Sequence, residues 1–259
     1  MTPPFVPADE LPARDPYYTD FAVEYDQHTN GVRGDIDFYR ELAGLADGPV
    51  VELGVGTGRT AIPAALGGAE VLGLDLSPEM LSLCQAKAAE AGASSLSLAV
   101  ADMRRFALAS PVDLVVIPHR AFLHNLTMED QLATLASCRE ALRTGGRLAL
   151  NVFNPDLAKM VEWMLRGPEE WEEREAGPPG SVHRHDYDPS DQRCDSTIML
   201  PGPDGVRRRV TIHLRYVYRA ELERLLARSG FEVESLYGDF FGEPFGPLSN
   251  EIVCVARAI

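Results

Sequence analysis

Apolar residues recur along this chain at two spacings that take turns. Val50–Leu53, Val71–Asp75, Leu96–Val100, Val112–Ile117 and Arg147–Phe153 are short and rich in aliphatic residues, as buried strands are. Between them lie stripes at helical spacing. Met80, Leu81, Cys84 and Ala88 form one, opened by Ser77-Pro78-Glu79 as a capping serine with a first-turn proline. Leu132, Leu135, Arg139 and Leu142 form another, opened by Thr127 and Asp130 in the manner of a capping box and stopped by Gly145-Gly146. Strands alternating with helices predict a parallel sheet covered on both faces.

The flanks read differently. Residues 1–16 are Pro-rich and polar and read as a loose tail, followed by predicted helices over Tyr17–Tyr25 and Ile36–Leu45. Beyond Pro155 come a short helix (Leu157–Arg166), an acidic stretch and a Gly177–Gly180 break. Two strand patterns then flank the turn signal Pro203-Asp204-Gly205. In the second, Val210, Ile212, Leu214, Tyr216 and Tyr218 alternate with Arg209, Thr211, His213, Arg215 and Val217, predicting a half-buried antiparallel strand. Leu222, Leu225 and Leu226 mark a helix ended by Gly230, and Phe231–Leu236 and Ile252–Arg257 are closing strands. The chain reads as one domain over 1–259, with an N-terminal part at 1–45 and an insertion at 156–214.

Composition narrows the partners. With 45% hydrophobic and 24% charged residues in 259, the balance is that of an ordinary globular domain. A net charge of −15 repels phosphate backbones and anionic membranes, so neither nucleic acid nor membrane is expected as a partner. The basic run Arg207-Arg208-Arg209 falls mainly on the polar face of its strand. There is no signal-peptide pattern at the N-terminus and no apolar run near the roughly 20 residues of a membrane helix. Cys84, Cys138, Cys194 and Cys254 are scattered without C-x-x-C pairs and read as buried free thiols of a cytoplasmic protein.

The chemistry concentrates at Val50-Val51-Glu52-Leu53-Gly54-Val55-Gly56-Thr57-Gly58. A strand runs into a glycine-dense turn and then a segment, Arg59–Leu66, able to start a helix, which is the nucleotide-binding corner of a doubly wound sheet. The dinucleotide frame G-x-G-x-x-G would need glycine where Arg59 stands; the third glycine comes one residue early. With Glu52 before it, G-x-G-x-G resembles the first motif of the class I S-adenosylmethionine (SAM) dependent methyltransferases. The resemblance implies a seven-stranded, mostly parallel Rossmann-like sheet with an inserted antiparallel β segment, SAM as cofactor and S-adenosylhomocysteine (SAH) as product.

The resemblance also assigns roles. Asp75, ending the second strand, would accept from the ribose hydroxyls. Asp102 and the Met103 N–H would hold the adenine, with Leu76 and Met80 against its face; core packing is the alternative for Met80. Glu52 would lie near the ammonium end of the methionine moiety. Tyr17-Tyr18 and Tyr25 resemble a lid helix; Tyr25 or Arg33 would reach the cofactor carboxylate, unless the tyrosines only pack the helix.

After the fourth strand, Ile117-Pro118-His119-Arg120-Ala121-Phe122-Leu123-His124 resembles small-molecule methyltransferases, including amino-sugar N-methyltransferases, with Pro118 in the cofactor wall. His124 is the first candidate for a base or orienting group and His119 the second; a structural histidine is the alternative for either, and lining the cofactor end a further one for His119. His183 and His185 lack a third ligand at a helpful spacing, so no metal is expected.

These readings imply methyl transfer to an N or O nucleophile of a small metabolite or natural product, with 156–214 contributing an acceptor pocket or a homodimer contact. Carbon methylation, other SAM chemistry or a non-catalytic SAM/SAH-binding role stay open.

Overall fold

The computed structural model describes residues 18, 22, 25–28, 31–173, 179–201 and 207–259. The 1–16 tail, Tyr17, most of the predicted helix to Tyr25 and the turn at 203–205 lie outside the described residues. The elements are α1 (Tyr25–His28), α2 (Asp35–Gly44), β1 (Val50–Leu53), α3 (Ala61–Leu66), β2 (Val71–Asp75), α4 (Pro78–Ala91), β3 (Leu96–Val100) and β4 (Val112–Ile117). A 3-10 helix (Ala121–His124) follows, then α5 (Met128–Ala141), β5 (Leu142–Phe153), α6 (Leu157–Leu165), β6 (Glu172–Glu173) and β7 (Val182–Asp188). The chain closes with β8 (Arg193–Pro201), β9 (Arg207–Arg215), α7 (Arg219–Arg228), β10 (Phe231–Tyr237) and β11 (Glu251–Ala258).

Seven strands form one sheet in the order β10-β11-β5-β4-β1-β2-β3. Only β11 runs against its neighbours. Period-two alternation divides the core between the two faces. Val51 and Leu53 of β1 join Val115 and Ile117 of β4 under α5 and α7. Val50, Leu114 and Val116 face α2, α3 and α4 through Tyr39, Ile62 and Leu81. Burial of each such aliphatic side chain contributes about 1.5–3 kcal/mol, which is why both faces are covered. Strand order reverses between β1 and β4, opening a crevice at their carboxyl ends.

Local details depart from the predicted boundaries for visible reasons. Helix α3 starts at Ala61, after the glycine turn has closed through a Gly58 N–H to Val55 carbonyl bond of 2.9 Å. Helix α5 stops at Ala141, ahead of Gly145-Gly146, because Leu142 already pairs with Val112. Ser77 and Thr127 cap α4 and α5 as predicted, accepting from the Met80 and Asp130 N–H groups.

The insertion is larger than two strands. It forms a separate antiparallel sheet, β6-β7-β8-β9, with Met160 and Trp163 of α6 buried beside it. Strand β9 ends at Arg215, short of the predicted Tyr218, because its partner β8 begins at Arg193, opposite Arg215; the buried Arg215 guanidinium reaches Gln131, Gln192 and Glu221. No described helix is long and apolar enough to cross a membrane. The four cysteines are free and buried.

Gly58 holds φ 84°, and a Cβ there would lie 2.5 Å from Cys84 Sγ and 2.9 Å from Ile62 Cδ1. Gly58→Ala is therefore expected to destabilise the fold by about 2–3 kcal/mol, from backbone strain plus overpacking. Urea denaturation checks this; an unchanged midpoint would mean that α3 and α4 move apart freely.

Candidate active site

The three glycines after β1 have separate duties. All take positive φ: 68° at Gly54, 54° at Gly56 and 84° at Gly58. A Cβ on Gly54 would meet Ala121 Cβ at 2.9 Å, and one on Gly58 would meet α4. Both are required by protein packing. A Cβ on Gly56 would meet nothing within 4 Å, so its bare backbone faces the crevice. That is the surface a ligand can approach closely.

Asp75 fixes this turn. Its Oδ2 accepts from the Gly56 N–H at 2.8 Å and its Oδ1 from the Ser77 N–H at 2.9 Å. Burial raises its pKa, and these N–H donors work in the other direction by favouring the carboxylate. Each oxygen keeps acceptor capacity on its remaining lone pair.

Glu52 points to the α2–α3 face and is buried, accepting from Thr60 Oγ1 at 2.5 Å. Burial pushes its pKa up to about 8, with the Thr60 bond and Arg59 only partly offsetting. Arg59 itself donates to both oxygens of buried Asp35, at 2.9 and 2.6 Å, while Asp35 Oδ2 also accepts from the Val32 N–H. This pair ties the residue after the glycine turn to the start of α2. In the sequence, the one mark of this role is a charge directly after the third glycine.

On the facing side, β4 ends at Ile117 and Pro118 is buried. His119 and Arg120 then adopt φ 53° and 64° in succession. Burial, with Arg59 and Arg120 nearby, lowers the His119 pKa to about 3, so its ring is neutral. Arg120 donates to buried Glu251, which also accepts from Asn151 Nδ2 at 2.9 Å. His124, on the 3-10 helix, shares a 2.8 Å hydrogen bond between its Nε2 and the Tyr18 hydroxyl.

The N-terminal residues cross this edge. The Tyr18 carbonyl accepts from Ser77 Oγ at 2.7 Å. Asp26 accepts from Thr57 Oγ1 at 2.6 Å and from Lys87 Nζ at 2.8 Å. Tyr18 and Tyr25 also pack against Ile198, Leu200 and Val210 of the inserted sheet.

Other predicted residues settle as follows. Asp102 is buried, and both its oxygens accept from Arg104, which also reaches Asp130. Arg104 escaped notice because nothing in its spacing marks it as the partner. Met103 is half-buried, its sulfur accepting from Asn125 Nδ2 at 3.3 Å, and Leu76 is half-buried. Met80 is fully buried among the core residues. Arg33 is exposed with its guanidinium over the Phe241 ring, and the half-buried arginine beside the glycine turn is Arg59. His183 and His185 pack around Trp163.

These features fit a nucleoside carrying an amino-acid tail: an open Gly56 backbone, a carboxylate ending β2 and a buried His119 Nδ1 with no hydrogen-bond partner among the described residues. Residues 50–146 match the family described as methyltransferase domain. The cypemycin N-terminal methyltransferase of a Streptomyces species is 25% identical over 213 residues, 80% of this chain and 81% of that protein. The CcbJ methyltransferase from Streptomyces caelestis superposes with a TM-score of 0.81 at 28% identity, over 93% of this chain and 97% of that one. SAM-bound CalS10, an amino pentose methyltransferase from Micromonospora echinaspora, shares the fold at a TM-score of 0.61 and 20% identity, over 93% and 92% of the two chains. Residues 50–146 thus form a methyltransferase domain, and in sequence and fold the chain is similar to SAM-dependent methyltransferases.

Proposed function

We propose that the chain transfers the SAM methyl group to a nitrogen or oxygen nucleophile of a small metabolite or natural product, with an amine the preferred acceptor. The observation that carries this reading is the His124–Tyr18 pair at the edge of β4, across from the glycine turn. The likeness to a cypemycin N-terminal methyltransferase supports an amine. So does the acidic charge, which attracts a cationic acceptor.

When bound, SAM supplies an electrophilic sulfonium methyl group. The chain has to hold the nucleophile in line, exclude water and take up a proton where the acceptor arrives as an ammonium. Asp75 would hold the ribose hydroxyls, Asp102 and the Met103 N–H the adenine, with Leu76 against its face. Glu52 would face the ammonium of the methionine end. His124, oriented by Tyr18, receives or orients the acceptor's proton. His119 is too weak a base for that step, with its pKa near 3. Residues 156–214 supply the outer wall of the acceptor pocket, and Tyr18 and Tyr25 join that wall to the cofactor edge.

Asp75→Ala is expected to weaken SAH binding by more than about tenfold in calorimetry, since it removes ribose contacts and the anchor of the turn. Unchanged affinity would place the ribose elsewhere. His124→Ala should lower single-turnover methylation of an amine acceptor by about 10²-fold while SAH affinity holds; an unaltered rate removes His124 from the reaction.

Glu52 gives a pH signature. In the free protein its carboxyl keeps its proton up to about pH 8, whereas the unfolded chain ionises near 4.5, so this group's contribution to stability declines between those values. An ammonium placed beside it favours the carboxylate. SAM binding at pH 7 should therefore release a proton, and the release should vanish above pH 8 and in Glu52→Gln. Calorimetry in buffers of different ionisation enthalpy measures it; equal release by wild type and Glu52→Gln would refute the assignment.

A further inference from the structure

The direction of the cofactor follows from the order β3-β2-β1-β4. Asp102 beyond β3 marks the base end, Asp75 beyond β2 the ribose, and the turn beyond β1 the link to the amino acid. The methionyl tail then points to β4, whose edge continues as Pro118 and His119. Within that end of the crevice, the arginines already have partners. Arg59 is paired with Asp35 and Arg120 with Glu251, while Arg33 lies exposed on Phe241.

Two independent features single out His119. Its Nδ1 is buried and has no hydrogen-bond partner among the described residues, although buried polar groups are ordinarily satisfied by protein, water or ligand. Its backbone is also strained, since His119 and Arg120 occupy the left-handed region one after the other. Such strain persists where the surrounding structure holds a group for a ligand. A neutral imidazole carries one ring N–H, which it can donate to a carboxylate oxygen.

We propose that His119, through Nδ1–H, donates a hydrogen bond to the α-carboxylate of SAM and SAH and so selects the amino-acid end of the cofactor. This rests on the SAM reading above. The test compares SAH with decarboxylated SAH, which keeps the thioether and the amine, by calorimetry on the full chain. His119→Gly removes the ring and relaxes the backbone; His119→Asn keeps an N–H donor and tolerates the left-handed conformation.

His119→Gly is expected to weaken SAH about tenfold and decarboxylated SAH less than about twofold, with His119→Asn recovering part of the difference. Thermal melts confirm that both variants are folded. An equal loss for both ligands, no loss for either, or a change confined to the acceptor's KM would overturn the proposal. If the unaltered chain bound no SAH, the SAM reading itself would fail and this inference with it.

Discussion

Two crossover turns meet on the carboxylate of Asp75, and the rest of the active edge is arranged around that meeting. Gly56 belongs to the turn after β1 and Ser77 to the turn after β2, yet both backbone N–H groups donate to the same side chain. Ser77 then caps α4 and donates to the Tyr18 carbonyl. One carboxylate thereby sets the glycine turn, the start of a helix and the seat of the N-terminal residues. Burial works against its charge, and the converging donors work for it. Such a carboxylate is held by geometry rather than by a counter-ion.

The other buried acids around the crevice solve the same problem in different ways. Asp35 and Asp102 are covered by guanidinium groups that grip both oxygens. Glu251 combines Arg120 with the Asn151 amide, which in turn accepts from Tyr39. Among the described residues Glu52 has a single hydroxyl partner, Thr60, and keeps its proton instead. Breaking a buried pair by removing one partner is costly, because the charge left behind is desolvated. The crevice is therefore rigid where acids are paired and chemically adjustable at Glu52.

The parts of this architecture that local rules dictate were legible in the residues. Positive φ demands glycine, strand ends carry Asp75 and Asp102, and Ser77 and Thr127 announce their helices. Arg59–Asp35 and Arg120–Glu251 were not, because their members lie 24 and 131 residues apart and no local spacing links them. The same holds for the bond between Tyr18 and His124, 106 residues apart. Strand β7 has no clear signal in the sequence. Its residues are nearly all half-buried, so no clean alternation marks one face. The seven-stranded, mostly parallel sheet was implied by the family resemblance; in the inserted sheet no motif speaks for a role.

That inserted sheet is not an independent appendage. Its apolar residues Ile198, Leu200 and Val210 receive Tyr18 and Tyr25, and Tyr18 is bonded both to the turn after β2 and to His124. A change in the inserted sheet would therefore be felt at Tyr18 and, through its two bonds, at the turn after β2 and at His124. The sheet and the N-terminal tyrosines form one packed unit although they stand far apart in the chain.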